Sequence, residues 1–286
     1  MFGIDVSHIN PKVLDKLLKG EIELADFVEH SSGQRTNLSQ YKRNIEFVYI
    51  KASGTAPFSK ELKKGKTTPY KELAEVCKKN KVPFGFYCYS TAKTLDEAKA
   101  EYNLFSDAIK EIKDNPYHLL PLAIDIEVAN NKDRHYSATL EEVTNSKIAL
   151  TNMLEKDFGK TILYIPRNAY NKNLKSRILN LDQYQKGISS GNSDIWHVTP
   201  IGGKLHKQSM AEIHEHVTAN QIALDVKVNN NRNNLVDINL IDKEAFENYT
   251  NGKYRNKSVE IDMTNDKKAP TKEKVLAQKD DFELEM

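Results

Sequence analysis

Leu122-Ala123-Ile124-Asp125-Ile126-Glu127-Val128 is an apolar run that carries two carboxylates two residues apart. In an extended strand alternate side chains leave on one face, so Asp125 and Glu127 project together, roughly 7 Å apart along the chain. A strand that is otherwise continuously apolar is buried on both faces, as in a parallel sheet covered by helices. Working outward from it, further short runs rich in β-branched and aromatic residues read as strands: Phe2–Val6, Phe47–Ala52, Pro83–Tyr89, Thr161–Ile165, Asp194–Val198, Gln221–Val226 and Leu235–Ile241, with the acid-bearing strand itself covering Leu119–Glu127. Longer stretches of helical periodicity separate them. Thr94-Leu-Asp-Glu97 has the form of a capping box before the stripe Ala98, Tyr102, Phe105, Ile109 and Ile112, and Asn115-Pro116 ends that helix. Thr139-Leu-Glu-Glu142 opens another, with Val143, Leu150, Met153, Leu154 and Phe158 before Gly159. Thr68-Pro69 puts Pro at the first position of a third, running to about Asn80. Strand and helix alternating over roughly 245 residues predict an α/β chain folded as an irregular (β/α)8 TIM-like barrel.

Two stretches break the rhythm. Glu21 to Asn44, rich in Ser, Gln and Asn, reads as a long connection after the first strand, and Asn229 to Asn234 as a polar turn before the last. Beyond about Asn248 apolar residues are too sparse for a core. The expected organisation is a barrel over residues 1–250 and a charged C-terminal tail over 251–286.

Composition excludes several classes of function. Lys and Arg number 42 against 40 Asp and Glu, a net charge of +2, without the basic excess that neutralising nucleic-acid phosphates requires. No apolar run is long enough to span a bilayer, and the mean hydropathy is −0.63. The segment Met1-Phe2-Gly3-Ile4-Asp5-Val6-Ser7 has neither the basic start nor the apolar core of a secretory signal, so synthesis in the cytoplasm without a signal peptide is the expectation. Cys77 and Cys88 are too few for a disulfide framework and read as structural thiols.

In a barrel of this kind the loops after the strands form the pocket, so acids at strand C-termini face it. Asp5 ends the first strand and Asp237 lies in the last, within Val236-Asp237-Ile238-Asn239. Closing the barrel makes first and last strands neighbours, and three strands then deliver acids to one mouth. Crowded carboxyls titrate apart, leaving a protonated acid beside an ionised partner. Glycoside hydrolysis needs that combination, one group to protonate the leaving oxygen and one to stabilise or attack the positive anomeric centre.

Gly3-Ile-Asp5-Val-Ser7, Tyr49-Ile-Lys-Ala52, Gly85-Phe-Tyr87, the Asp125-Ile-Glu127 pair, the Tyr164 strand, Ile195-Trp196 and Val236-Asp237-Ile-Asn239 occur in the order seen in glycoside hydrolase family 25. The chain resembles these Chalaropsis-type lysozymes, or N-acetylmuramidases, over residues 2 to 241. The resemblance implies a cofactor-free barrel that cleaves the β-1,4 bond between N-acetylmuramic acid and N-acetylglucosamine in bacterial peptidoglycan. It gives Glu127 the part of general acid. Asp125 becomes the partner that positions the substrate acetamido group or supports the oxocarbenium-like state, and Asp5 and Asp237 the remaining acids of the cleft. Tyr87, Tyr164 and Trp196 fall where the family has cleft aromatics, whose faces can stack on sugar rings; the plainer reading is core aromatics on strands. Where the family continues its second strand A-T-E-G, this chain has Ala52-Ser53-Gly54-Thr55, and where the family has W-Q-Y it has Asn220-Gln221-Ile222.

Two other functions stay open at this stage. A chitinase-like hydrolase would carry D-x-D-x-E, whose first acid falls at Ala123. A barrel that holds glycan or protein without cleaving it is suggested by the missing glutamate near Ser53 and the missing aromatic at Asn220. His197, His206, His214 and His216 invite a metal site, but Gln208 to Val217 reads as helical, where residues two apart do not face together, and no Cys or carboxylate completes the set. No metal is expected. With no export signal, the wall or periplasm would be reached by phage-type release or secretion-system delivery, the tail being the segment for a delivery partner.

Overall fold

The computed structural model describes residues 1–29, 35–39, 44–53, 69–112, 114–126, 138–170, 172, 177–198 and 217–251. In chain order the elements are β1 (Phe2–Val6), α1 (Pro11–Leu18), β2 (Phe27–Glu29), β3 (Arg35–Asn37), β4 (Phe47–Ser53), α2 (Tyr70–Asn80), β5 (Phe84–Tyr89), α3 (Leu95–Lys110), β6 (Leu122–Asp125), α4 (Leu140–Phe158), β7 (Thr161–Pro166), α5 (Arg167–Tyr170), α6 (Leu181–Gly187), β8 (Asp194–Val198), β9 (Val217–Val228), β10 (Asn231–Ile241) and α7 (Lys243–Tyr249). They belong to a unit running from Met1 to Gly252; a second unit, Lys253–Met286, lies outside the described residues. No described helix is long and apolar enough to cross a membrane.

The helix starts follow their caps. Thr139 and Glu142 form the full reciprocal box, Thr139 N donating to Glu142 Oε2 at 2.7 Å and Glu142 N to Thr139 Oγ1 at 3.2 Å. At α3 only half of the expected box forms. Glu97 N donates to Thr94 Oγ1, but the Glu97 carboxylate accepts from Lys93 N, one residue before the cap.

The strands close in the order β1-β10-β9-β8-β7-β6-β5-β4, with β4 returning to β1. All eight barrel strands overlap the apolar runs, but β6 ends at Asp125, short of Glu127, which lies outside the described residues, and β9 and β10 begin four residues before their runs. The fold is the expected TIM-like barrel with one irregularity in strand direction. β10 runs antiparallel to both β1 and β9. The physical reason is the turn: Asn229 and Asn230 have φ of 52° and 54°, the paired left-handed conformation of a two-residue hairpin, which Asn tolerates. A turn that tight can only return the chain antiparallel, so no crossover helix precedes the last strand. The polar turn is therefore shorter than Asn229–Asn234, and Asn231–Asn234 begin β10. Part of the long Glu21–Asn44 connection is the β2–β3 hairpin, and Ala25 N donates to Lys227 O at 2.8 Å beside β9. Val217, the last residue of the stretch read as helical, starts β9 and pairs with Ile195; residues 199–216 lie outside the described set.

Side-chain alternation splits the apolar residues into two layers. Ile4, Val48, Ile50, Phe84, Phe86, Ile124, Leu163 and Ile165 turn outward and pack under Leu73 and Cys77 of α2, Phe105 of α3, and Leu150 and Leu154 of α4. Their alternates turn inward. Phe47, Tyr49 and Trp196 fill the interior, and Phe246 of α7 meets Phe47 at 6.0 Å between ring centroids, closing the strand N-terminal end. Only glycine fits beside these rings. A Cβ at Gly3 would lie 2.5 Å from the Phe47 ring, and one at Gly85 2.7 Å from Tyr49 Cε1.

Burial outside the barrel makes His118 an acid-sensitive point. His118 stacks on Phe84 at 5.4 Å and meets Phe86 edge-on, and its buried Nε2 has no hydrogen-bond partner among the described residues. Burial pulls its pKa down to about 4. An unfolded chain takes up that proton near pH 6.5, so the unfolded state holds more protons between these values and stability is lost as pH falls from 6.5 to 4. The loss amounts to at most about 3 kcal/mol. His118→Phe is expected to reduce the fall in Tm between pH 7 and pH 4.5; an identical Tm-against-pH slope in both proteins would refute this.

Candidate active site

The inward alternation that buries aromatics at one end sets acids at the other. Asp5 follows Gly3 by two residues on β1, Asp125 follows Ala123 on β6, and Tyr87 follows Gly85 on β5. Ladder register then places them around the mouth: Asp5 opposite Asp237, Asp125 between Tyr89 and Tyr164, and Tyr164 beside Trp196. Asp5, Tyr87, Asp125, Tyr164, Trp196, Gln221 and Asp237 line one pocket of about 70 Å³. Six of the residues singled out from the sequence thus share one site. The seventh, Glu127, lies outside the described residues.

An amide framework holds the acids. Gln221 Nε2 donates to Asp5 Oδ2 at 2.9 Å and to Asp237 Oδ2 at 3.3 Å, while its Oε1 accepts from Tyr164 OH at 2.7 Å. Asn239 Nδ2 donates to Asp5 Oδ2 at 2.8 Å and its Oδ1 accepts from Trp196 Nε1 at 3.0 Å. The backbone N–H of Asp225, a residue at φ 53° where β9 and β10 shift register, donates to Asp237 Oδ1 at 2.7 Å. These donors favour ionised acceptors, and hydrogen bonds to charged groups are the stronger kind. Trp196 is 2% exposed, with Tyr49 and Tyr164 centroids at 4.7 and 5.2 Å, so it walls the pocket from within the barrel. Lys51, inward on β4, brings a cation to the rim, its Nζ 5.4 Å from the Tyr89 ring centroid.

Gln221 and Asn239 are the site residues that charge-based reading passes over. Their signal was an amide on an apolar strand, since a buried amide needs partners. Among the described residues no group of three His, Cys, Asp or Glu is placed to hold a metal ion. His197 is buried, and His206, His214 and His216 lie outside the described residues. Cys77 and Cys88 are free and buried, and burial pushes both thiols up. A larger cavity of about 870 Å³ opens at the strand N-terminal end, lined by His118, Lys160, Asp194 and Tyr249 among others, away from the acids.

No family model and no curated protein matches the chain. Among solved structures it is similar to the CTP1L endolysin, with a TM-score of 0.54 and 14% identity over 87% of this chain and 69% of that one. It is similar to a muramidase from Acremonium alcalophilum, with a TM-score of 0.51 and 15% identity over 88% and 99% of the two chains. A third is GHIP, a glycosyl hydrolase 25 of Streptococcus pneumoniae participating in host cell invasion, with a TM-score of 0.50 and 16% identity over 86% and 91%. The chain has their fold. The likeness expected from the ordered sequence motifs is thus present in the backbone, and the chemistry rests on this chain's own side chains.

Proposed function

We propose that the protein is a muramidase that hydrolyses the β-1,4 bond between N-acetylmuramic acid and N-acetylglucosamine in bacterial peptidoglycan. Glu127 is the general acid and Asp125 assists it. The observation that carries this reading is the meeting of Asp5, Asp125 and Asp237 with Tyr87, Tyr164 and Trp196 in one pocket at the strand C-terminal mouth. Negative charge gathered there favours the positive character that develops at the anomeric carbon. Gln221 and Asn239 keep Asp5 and Asp237 from moving as that charge forms, because donors already in place need no reorganisation. The Tyr164 and Trp196 rings, 7% and 2% exposed, form the apolar back wall of the pocket behind the acids.

The chitinase-like alternative loses ground at Ala123, an inward, fully buried position between Tyr87 and Ile162 where its extra acid would sit. Wall contact is proposed to follow phage-type release or secretion-system delivery. Residues 251–286 are proposed as the segment a delivery partner would bind, separate from the chemistry. The test is digestion of purified peptidoglycan with mass analysis of the reduced products. Muramic acid at the new reducing ends is the expected result. N-acetylglucosamine there, faster turnover of chitin oligomers, or tight wall binding without new ends would each overturn the assignment.

A further inference from the structure

The barrel wall behind Asp125 holds a cation that the proposed chemistry leaves unused. Lys147 of α4 is 0% exposed, where an ammonium is costly to keep. Its Nζ donates to Ser90 Oγ at 2.8 Å, and Ser90 Oγ donates in turn to Glu101 Oε2 at 2.5 Å. The other Glu101 oxygen accepts from Thr91 N at 2.7 Å. Lysine and glutamate, on neighbouring helices, are joined through one hydroxyl. The same Ser90, directly after β5, sends its backbone N–H to Asp125 O at 2.8 Å. The charged and titratable groups facing Lys147 are Glu101 and Glu97 from α3, Cys88 from β5 and Asp125 from β6. Burial pulls the Lys147 ammonium down to about 8, against the pull of these neighbours.

A joint between α3 and α4 alone needs no charge, since a buried ion pair is often replaced by apolar residues without loss. This one is built at the strand ends, against the backbone of a pocket acid. We propose that Lys147, relayed through Ser90 and balanced by Glu101, is a positioning residue that fixes the β5–β6 rim and keeps Asp125 ionised. A cation in the low-dielectric wall favours the carboxylate form of a nearby acid far more than one in water. Only its kinetic consequence rests on the muramidase reading, which needs Asp125 as an anion beside the acid.

The test is a carboxyl carbon NMR titration of Asp125, identified by its absence in Asp125→Asn. Lys147→Met removes the cation and Glu101→Gln, in a separate variant, the anion that balances it. In Lys147→Met the Asp125 midpoint is expected to rise by about one pH unit, a tenfold change in proton affinity, and in Glu101→Gln to move the opposite way. The acid limb of kcat/KM on purified wall should move with it. An unchanged midpoint overturns the inference. Where Lys147→Met does not fold, wild type serves: the Asp125 carbon should show a second inflection as the Lys147 ammonium loses its proton, and its absence also overturns the coupling. A shifted midpoint in a protein that does not cleave the wall would sink the muramidase reading and leave this one standing.

Discussion

Glu127→Gln is expected to lower hydrolysis of purified peptidoglycan by about 10² to 10⁴-fold, the range a general acid supplies. The substitution keeps shape and hydrogen-bonding capacity and removes only the transferable proton. The glycosidic oxygen is a poor leaving group without that proton, so kcat should fall while KM stays near its wild-type value. Sedimentation with insoluble wall should accordingly show undiminished binding. Equal activity of variant and wild type would remove Glu127 from the mechanism and pass the role to an acid already in the pocket, Asp125 first, whose Asn variant belongs in the same assay. Loss of binding together with activity would point instead to a glycan-holding role.

The barrel was legible because its strands are short apolar runs between capped helices, and Phe2–Val6 and Asp194–Val198 begin and end where those runs do. The direction of the last strand was not. Five asparagines lie between Asn229 and Asn234, and the sequence does not say which adjacent pair turns; two left-handed φ values at Asn229 and Asn230 decide it. The acids stood out as charges on apolar strands, but the amides that hold them gain meaning only when β1, β10 and β9 lie side by side. Trp196 could be placed on its strand and not in its environment, since its burial comes from Tyr49 and Tyr164, far away in sequence. Lys147 left a trace that periodicity could have caught. Val143, Lys147, Leu150 and Leu154 are spaced four, three and four, so the lysine sits on the apolar stripe of its helix, as Glu101 does between Ala98 and Phe105.

Gln221→Met should give the second largest effect, for reasons of charge more than volume. Asp5 and Asp237 are direct cross-strand partners, and like charges so placed repel. The Gln221 amide is 2% exposed and donates to both. Methionine fills a similar space and donates nothing, so two bonds to charged groups disappear at about 1.5–3 kcal/mol each. Asn239 still holds Asp5 and Asp225 N still holds Asp237, so the barrel should close. The two carboxylates, however, lose the donor they share. Wall hydrolysis is expected to fall about 10²-fold, the usual cost of removing one oriented donor from a charged site. The stability loss carries its own signature. Protonation of either acid relieves the repulsion, so the folded variant binds protons more readily than the folded wild type, and its deficit shrinks as pH falls. The difference in Tm between wild type and variant should therefore be larger at pH 7 than at pH 4. A difference that does not change with pH would mean that Gln221 fills space without holding the acids, and an undiminished rate would mean that Asp5 and Asp237 need no holding.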